Sequence, residues 1–230
     1  MINQVLLIST TKYLKSLGDI MRALIIGSGI VYNDSIQKNL KPGDTIICCD
    51  GGSKYLFEEG VIPHYIIGDL DSSIPQIIQF YKTKNVIFKK FDTKKDETDM
   101  EICIDFAISL GATEIIILGA TGTRLDHTLT NINLLIKAEN ANVKATIIDK
   151  NNIINLISSN IEIKGKKGDL VSLIPITSSV EGISTIGLEY PLKNATMHIG
   201  KSLGVSNVME DSIANVSIEK GYLLVMKCND

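Results

Sequence analysis

Six aspartates of this 230-residue chain, Asp50, Asp69, Asp71, Asp96, Asp99 and Asp126, fall where apolar runs give way to loops. Tyr65-Ile66-Ile67 reads as a buried strand and runs directly into Gly68-Asp69-Leu70-Asp71-Ser72. Side chains alternate along an extended chain, so Asp69 and Asp71 can share one side of it. Two like charges that close repel unless one is protonated or a cation lies between them. A hard divalent ion with oxygen ligands, Mg²⁺ above all, meets that need. The plain alternative is an acidic turn on a solvated surface, since Asp and Ser are common turn residues.

The same arrangement recurs along the chain. Thr45–Cys49 reads as a strand ending in Asp50-Gly51-Gly52, whose glycines permit a sharp turn and close ligand approach. Val86–Phe88 precedes Lys94-Lys95-Asp96-Glu97-Thr98-Asp99, where Thr98 and Glu101 form a capping box and so start a helix that Gly111 ends. Glu114–Leu118 leads into Gly119-Ala120-Thr121-Gly122-Thr123-Arg124-Leu125-Asp126-His127. There two glycines free the backbone, Arg124 offers a fork suited to phosphate, and Asp126 and His127 open a helix carrying Leu129, Ile132, Leu135 and Ile136. Structural duties account for part of this: Asp50 and Asp126 as helix N-caps, His127 as a satisfied structural histidine. Asp96, the lysine pair beside it and Arg124 have no such duty visible in the sequence.

The elements that must position these groups are strands alternating with helices, which argues for an α/β domain of three layers with a mostly parallel sheet. Ligands bind such sheets outside the carboxyl ends of the strands. All six carboxylates are expected on that edge, and metal binding relieves their repulsion. Mg²⁺ facing Lys95 and Arg124 suits phosphoryl chemistry on a nucleotide. The first strand, Ala23–Ile26, closes in Gly27-Ser28-Gly29. It is either a tight turn or a backbone loop near phosphates. After Val143–Ile148 the helical pattern stops. Short strands at Ile153–Ile157, Ile161–Lys164, Leu170–Ile174, Ile183–Ile186, Asn215–Ile218 and Tyr222–Met226 predict an antiparallel β-sandwich. The expected division is an N-terminal extension (1–20), an α/β domain (21–150) and a β-sandwich domain (151–230).

Composition narrows the classes. Apolar residues make up 44% and charged residues 21%, normal for a globular protein. A net charge of -3 argues against a nucleic-acid partner bound through a basic surface. No apolar run approaches the ~20 residues of a membrane span. Residues 1–20 lack the features of a signal peptide, so a cytoplasmic protein is expected. The four cysteines, Cys48, Cys49, Cys103 and Cys228, form no C-x-x-C pair, and Cys48 and Cys49 read as buried thiols.

Taken together and in order, these motifs resemble the thiamine pyrophosphokinase family from Met21 to the C-terminus. Asp50-Gly51-Gly52 is similar to the family's first acidic loop. Gly68-Asp69-Leu70-Asp71-Ser72 is similar to its G-D-x-D-S signature, and Asp96-Glu97-Thr98-Asp99 to its D-x-T-D element. Gly119, Gly122, Arg124, Asp126 and His127 match its G-x-x-G-x-R-x-D-H loop. Gly187-Leu188-Glu189-Tyr190-Pro191-Leu192 and Gly204-Val205-Ser206-Asn207 look like its substrate-side motifs. The resemblance implies transfer of the diphosphoryl group of ATP to thiamine, with AMP released. It implies Mg²⁺ held by Asp69, Asp71 and Asp99 with Asp96 close by, and catalysis by Asp71, Asp99, Arg124 and Asp126. ATP would lie against Asp50, Gly51, Lys95, Gly119, Gly122, Arg124 and His127. Thiamine would meet Asp96, Asp126, Ser206 and Asn207, in a cleft shared across a homodimer. The chain departs from the family pattern at His64, where an acidic residue is frequent, and at Val205, where threonine is. It also has no tryptophan to stack on thiamine, so another flat or apolar side chain must do so. The acidic edge taken alone also allows a Mg²⁺-dependent phosphohydrolase or nucleotidyltransferase, or a non-catalytic nucleotide sensor.

Overall fold

A computed structural model describes residues 21–70, 74–91 and 96–229. The N-terminal extension, Asp71 and Lys95 lie outside the described residues.

Six parallel strands form the first half of the main sheet: β1 (Arg22–Ile26), β2 (Thr45–Cys49), β3 (Tyr65–Gly68), β4 (Ile87–Lys90), β5 (Glu114–Leu118) and β6 (Lys144–Ile148). The helices are α1 (Ser35–Asn39), α2 (Ser53–Glu58), α3 (Pro75–Lys82), α4 (Asp99–Ser109), α5 (Leu125–Asn133) and α6 (Leu135–Asn140). Strands buried on both faces need continuous apolar runs, and period two then sorts each run between two cores. Ala23, Ile25, Ile47, Cys49, Ile67, Ile115 and Ile117 face α4 and α6. Leu24, Ile26, Ile46, Cys48, Ile66, Ile116 and Leu118 face α1, α2 and α3 through Ile36, Leu56, Ile77 and Tyr81. The expected three layers result.

The second half is all strand: β7 (Asn152–Ile157), β8 (Asn160–Lys164), β9 (Leu170–Pro175), β10 (Ser179–Ile186), β11 (Ala195–His198), β12 (Asn207–Val208), β13 (Ile213–Ser217) and β14 (Leu223–Cys228). β7 pairs antiparallel with β6, Thr146 opposite Asn155, so one ten-stranded sheet runs in the order β12-β9-β14-β7-β6-β5-β1-β2-β3-β4. A four-stranded sheet, β11-β10-β13-β8, packs on its β7–β12 end and completes the expected sandwich. Ile157, Val171, Leu173, Leu223 and Val225 meet Ile163, Val180, Ile183, Met197, Ala214 and Val216 there.

Two readings of the helical segments need correction. The segment after Asp126 is two helices that meet at Leu134, and Leu129 is 61% exposed rather than part of the core. The side chain of Asp126 is not an N-cap: Arg124 holds the cap position and Asp126 lies in the first turn.

Candidate active site

Strands β1 to β4 step outward in chain order, and β5 then returns to the other side of β1. That reversal opens a crevice between the loops after β1 and β5, the place where ligands bind open α/β sheets. A cleft of about 520 Å³ lies there, walled by Ser28, Gly29, Ile30, Cys49, Tyr55, Thr98, Asp99, Met100, residues 119–124, His127, Thr128 and Asn131. A larger groove of about 720 Å³ sits at the opposite end of the strands, between β6, β7 and β8. It gathers none of the residues singled out in the sequence.

Close backbone approach builds the cleft. The N–H groups of Gly27, Gly29 and Ile30 donate to the carbonyls of Leu118, Gly119 and Thr121 at 2.7, 2.9 and 2.8 Å. A Cβ on Gly27 would lie 2.4 Å from the Gly119 carbonyl oxygen, and one on Gly29 would lie 2.3 Å from that of Thr121. Gly27-Ser28-Gly29 is therefore a close-packing turn on the wall of the cleft. The Asn131 amide, buried, donates to the Ala120 carbonyl at 2.7 Å. Thr121 donates to Asp149 at 3.1 Å, and Thr128 accepts from the Gly122 N–H at 3.2 Å. The loop is thus held from β6 and from α5. Ser28, Tyr55, Thr121, Thr128 and Asn131 escaped sequence reasoning because single polar residues of this kind carry no motif.

Of the six carboxylates singled out in the sequence, Asp50 and Asp99 approach each other at the end of β3. Asp50, 1% exposed, opens a short 3₁₀ turn after β2. Asp99 begins α4, whose cap is Thr98, accepting from the Glu101 N–H at 3.2 Å. Between them lies Gly68, with φ at 151°. A Cβ there would be 2.7 Å from Cβ of Asp50 and 3.1 Å from Oδ2 of Asp99. Glycine is what allows both side chains to meet over the end of β3. Asp69 follows Gly68 and is half-buried, while Asp96 is exposed. A Cβ on Gly51 would be 2.8 Å from the Ser28 hydroxyl, so that backbone abuts the cleft wall.

Arg124 has a partner that the sequence did not reveal. Its Nε and Nη2 donate to Asp126 at 3.2 and 2.5 Å, a bidentate pair in the open. The hydrogen bond from Arg124, then that from the backbone of His127, lowers the Asp126 carboxyl to about 2. Asp126 is therefore an ion throughout the neutral range. His127 is exposed at the cleft mouth.

Ser206 and Asn207 lie elsewhere. β12 is the outermost strand of the long sheet, six strand spacings from β1. At ~4.8 Å per strand that is roughly 29 Å. Asn207 is buried, and its amide accepts from the Tyr190 and Val208 N–H groups at 3.0 and 2.9 Å and donates to the Tyr190 carbonyl at 2.8 Å. Ser206 is exposed, its N–H bound to the Ser172 hydroxyl at 3.0 Å.

Comparison with known proteins places these features. The family model of the thiamin pyrophosphokinase catalytic domain matches residues 36–147, and that of the thiamin pyrophosphokinase vitamin B1 binding domain matches residues 158–223. Thiamine pyrophosphokinase from Bacillus subtilis (strain 168) is 32% identical over 184 residues, 79% of this chain and 86% of that protein. The chain belongs to the thiamine pyrophosphokinase family. Thiamine pyrophosphokinase 1 of Oryza sativa subsp. japonica is 27% identical over 203 residues, covering 77% of this chain and 76% of the relative. The crystal structure of the Bacillus subtilis family member superposes with a TM-score of 0.84 at 29% identity, over 91% of this chain and 99% of that one. That of Geobacillus thermodenitrificans thiamin pyrophosphokinase gives 0.81 at 27% identity, over 91% and 98%.

The metal implied by likeness to thiamine pyrophosphokinases fits the donor set. Of the expected ligands, Asp69, Asp96 and Asp99 supply hard carboxylate oxygens, and the gap at Gly68 lets Asp99 approach Asp50. Among the described residues, no group of three or more His, Cys, Asp or Glu side chains is close enough to hold an ion unaided. Asp71, the remaining expected ligand, lies outside them. Among the described residues, no helix is long and apolar enough to cross a membrane.

Proposed function

We propose that this chain transfers the diphosphoryl group of ATP to the hydroxyethyl oxygen of thiamine, giving thiamine diphosphate and AMP. The observation that carries the reading is the cleft at the β1/β5 reversal, rimmed by Asp99 and Arg124, in a chain of the thiamine pyrophosphokinase family. The thiamine oxygen attacks the β-phosphorus, the bond between that phosphorus and the oxygen bridging it to the α-phosphorus breaks, AMP leaves with that oxygen, and the hydroxyl proton passes to water. Such transfers run through loose transition states, so positioning and charge stabilisation matter more than a strong base. This suits Asp126, which with its low pKa orients the hydroxyl rather than storing its proton. Arg124 and Lys95 contact phosphate oxygens, and the backbone of Gly51, Gly119 and Gly122, with His127 and Asp50, encloses the nucleotide. Asp69, Asp71 and Asp99, with Asp96 nearby, hold Mg²⁺, which when bound neutralises charge on the phosphoryl oxygens.

Residues 21–150 form the nucleotide half and residues 151–230 the thiamine half, with Asp96 and Asp126 facing thiamine from the first. The roughly 29 Å between β12 and β1 supports a homodimer in which Ser206 and Asn207 of one subunit complete the cleft of the other. The flat side chain that covers thiamine is Tyr190. Residues 151–230 contain only two aromatics, Tyr190 and Tyr222. Tyr222 is engaged with Asn140 on α6, whereas Tyr190 is 64% exposed and clamped through its backbone by Asn207. An aromatic face over a thiazolium cation is favourable. A cytoplasmic location is part of this reading, and four cysteines outside any disulfide suit a reducing compartment.

Thiamine-dependent AMP release tests the reading. A phosphohydrolase releases product without thiamine, and a sensor binds ATP without turnover. Either result overturns it.

A further inference from the structure

The thiols have no part in the chemistry above, yet two of them are placed together. Strand alternation sends Cys48 to the α1–α3 face of the sheet and Cys49 to the α4 face. There the Cys49 thiol donates to Sγ of Cys103 on α4 at 3.3 Å. Cys49 lines the cleft, and Cys103 is wholly buried behind it. Each sulfur is also tied to a carboxylate of the site. Cys49 directly precedes Asp50, and Cys103 lies one helical turn after Asp99, on the same face of α4. Asp50 and Asp99 are the two side chains that meet over Gly68.

We propose that Cys49 and Cys103 are an oxidation-sensitive thiol pair under the cleft, with Cys49 the thiol that a hydroperoxide reaches and Cys103 the resolving thiol. The Cys49 sulfur attacks the peroxide, the O–O bond breaks, and Cys49 becomes a sulfenic acid while an alcohol or water leaves. Cys103 sulfur then attacks the sulfenic sulfur. The S–O bond breaks, an S–S bond forms, and the hydroxyl leaves with the thiol proton as water. Two electrons pass from the thiol pair to the peroxide. The sulfurs close from 3.3 Å to bonding distance, which draws the end of β2 against α4 and shifts Asp50 against Asp99. Burial, then the hydrogen bond from Cys49, pushes the Cys103 thiol up. Cys49, on the cleft wall, is the sulfur an oxidant meets first.

The test uses the full chain, reduced and first shown to release AMP with thiamine, so failure of the catalytic reading is seen before oxidant is added. Hydrogen peroxide is then applied, and peptides are mapped by mass without reduction. The expected product is a Cys49–Cys103 cross-link with loss of two hydrogens. Activity should fall at least tenfold and recover with dithiothreitol. Cys228→Ser should behave as the parent. Cys103→Ser, or Cys103→Ala if the serine variant folds poorly, should form no cross-link and instead trap a sulfenic acid at Cys49, captured by dimedone. ATP should slow the oxidation, an arm that rests on the cleft being the nucleotide site. Oxidation of Cys228 with Cys49 and Cys103 untouched would overturn the proposal, and so would a cross-linked protein of unchanged activity.

Discussion

The cleft at the β1/β5 reversal and the corner around β12 are built on opposite plans. At the cleft, main chain packs on main chain through Gly27, Gly29 and Gly119, and charged side chains are left at the rim, with Arg124 and Asp126 largely exposed. At the β12 corner the polar amide of Asn207 is buried and fully engaged with backbone, while apolar groups face outward: Tyr190 at 64%, Leu203 at 50% and Val205 at 51% exposed. Charge set on a rigid edge suits phosphoryl chemistry; an exposed apolar rim on a clamped loop suits covering an organic cation and another subunit. On the proposed reading, substitutions in the two regions should fail differently, the first in turnover and the second in thiamine capture.

The largest effect should come from Asp99→Asn. Its carboxylate sits at the meeting point over Gly68, so turnover should fall on the order of a hundred- to a thousandfold with the melting temperature little changed. Chelation by EDTA should have the same effect on the parent enzyme. Activity within about threefold of the parent would remove Asp99 from the reacting centre.

Next is subunit mixing. Truncating Asn207 would leave the backbone groups of Tyr190 and Val208 unpaired, at about 1–3 kcal/mol each, so it confuses folding with function. Tyr190→Arg is the cleaner change: the side chain is exposed, and a cation there repels thiazolium. Mixing it with Asp99→Asn should restore about a quarter of the sites in a randomly exchanged two-fold dimer. No recovery, with exchange confirmed by mass labels, would mean each chain makes its site alone. Tyr190→Ala by itself should raise the KM for thiamine roughly three- to thirtyfold and leave that for ATP unchanged.

Arg124→Lys keeps the charge but loses the fork to Asp126 and to phosphate. ATP affinity should drop about tenfold, near the weight of one charged hydrogen bond, with thiamine binding less affected. Equal losses in calorimetry would make Arg124 structural. The Asp126 carboxyl should rise from about 2 toward the ordinary carboxylate range, followed by NMR titration. Because it is ionised above that range in both proteins, the rate profile from pH 6 to 9 should not move through Asp126.

The smallest effect concerns His64, whose Nδ1 accepts the Ile46 N–H at 2.9 Å at the opposite end of β2. Burial lowers its pKa below 6.5. The unfolded chain then takes up the proton first, so this contribution to stability is whole above pH 6.5 and is lost as pH falls through the folded value. His64→Asn keeps an acceptor without a titration, and should lose less melting temperature between pH 7 and pH 5 than the parent. An equal loss would show that His64 does not contribute.

The chain by itself determined where strands run and where carboxylates leave them. Uninterrupted runs such as Ile115-Ile116-Ile117 have no other stable home than a sheet covered on both faces. The glycines and acids at their ends are local signals that survive without a partner in view. Weak or short elements were not legible. β12 has two residues and β11 four, too few for a period, and α1 and α3 lack the long apolar stripe that marked α4. Only the tertiary structure decided what faces what. Arg124 turns to Asp126, Leu129 turns to solvent, Cys49 meets Cys103 from 54 residues away, and Asn207 clamps Tyr190. Each depends on the relative placement of separate elements, and placement comes from packing and sheet order, which no local stretch of sequence encodes. The distance between the cleft and the β12 corner follows from the same cause, because β12 reaches the far edge only after β7, β14 and β9 have joined the sheet.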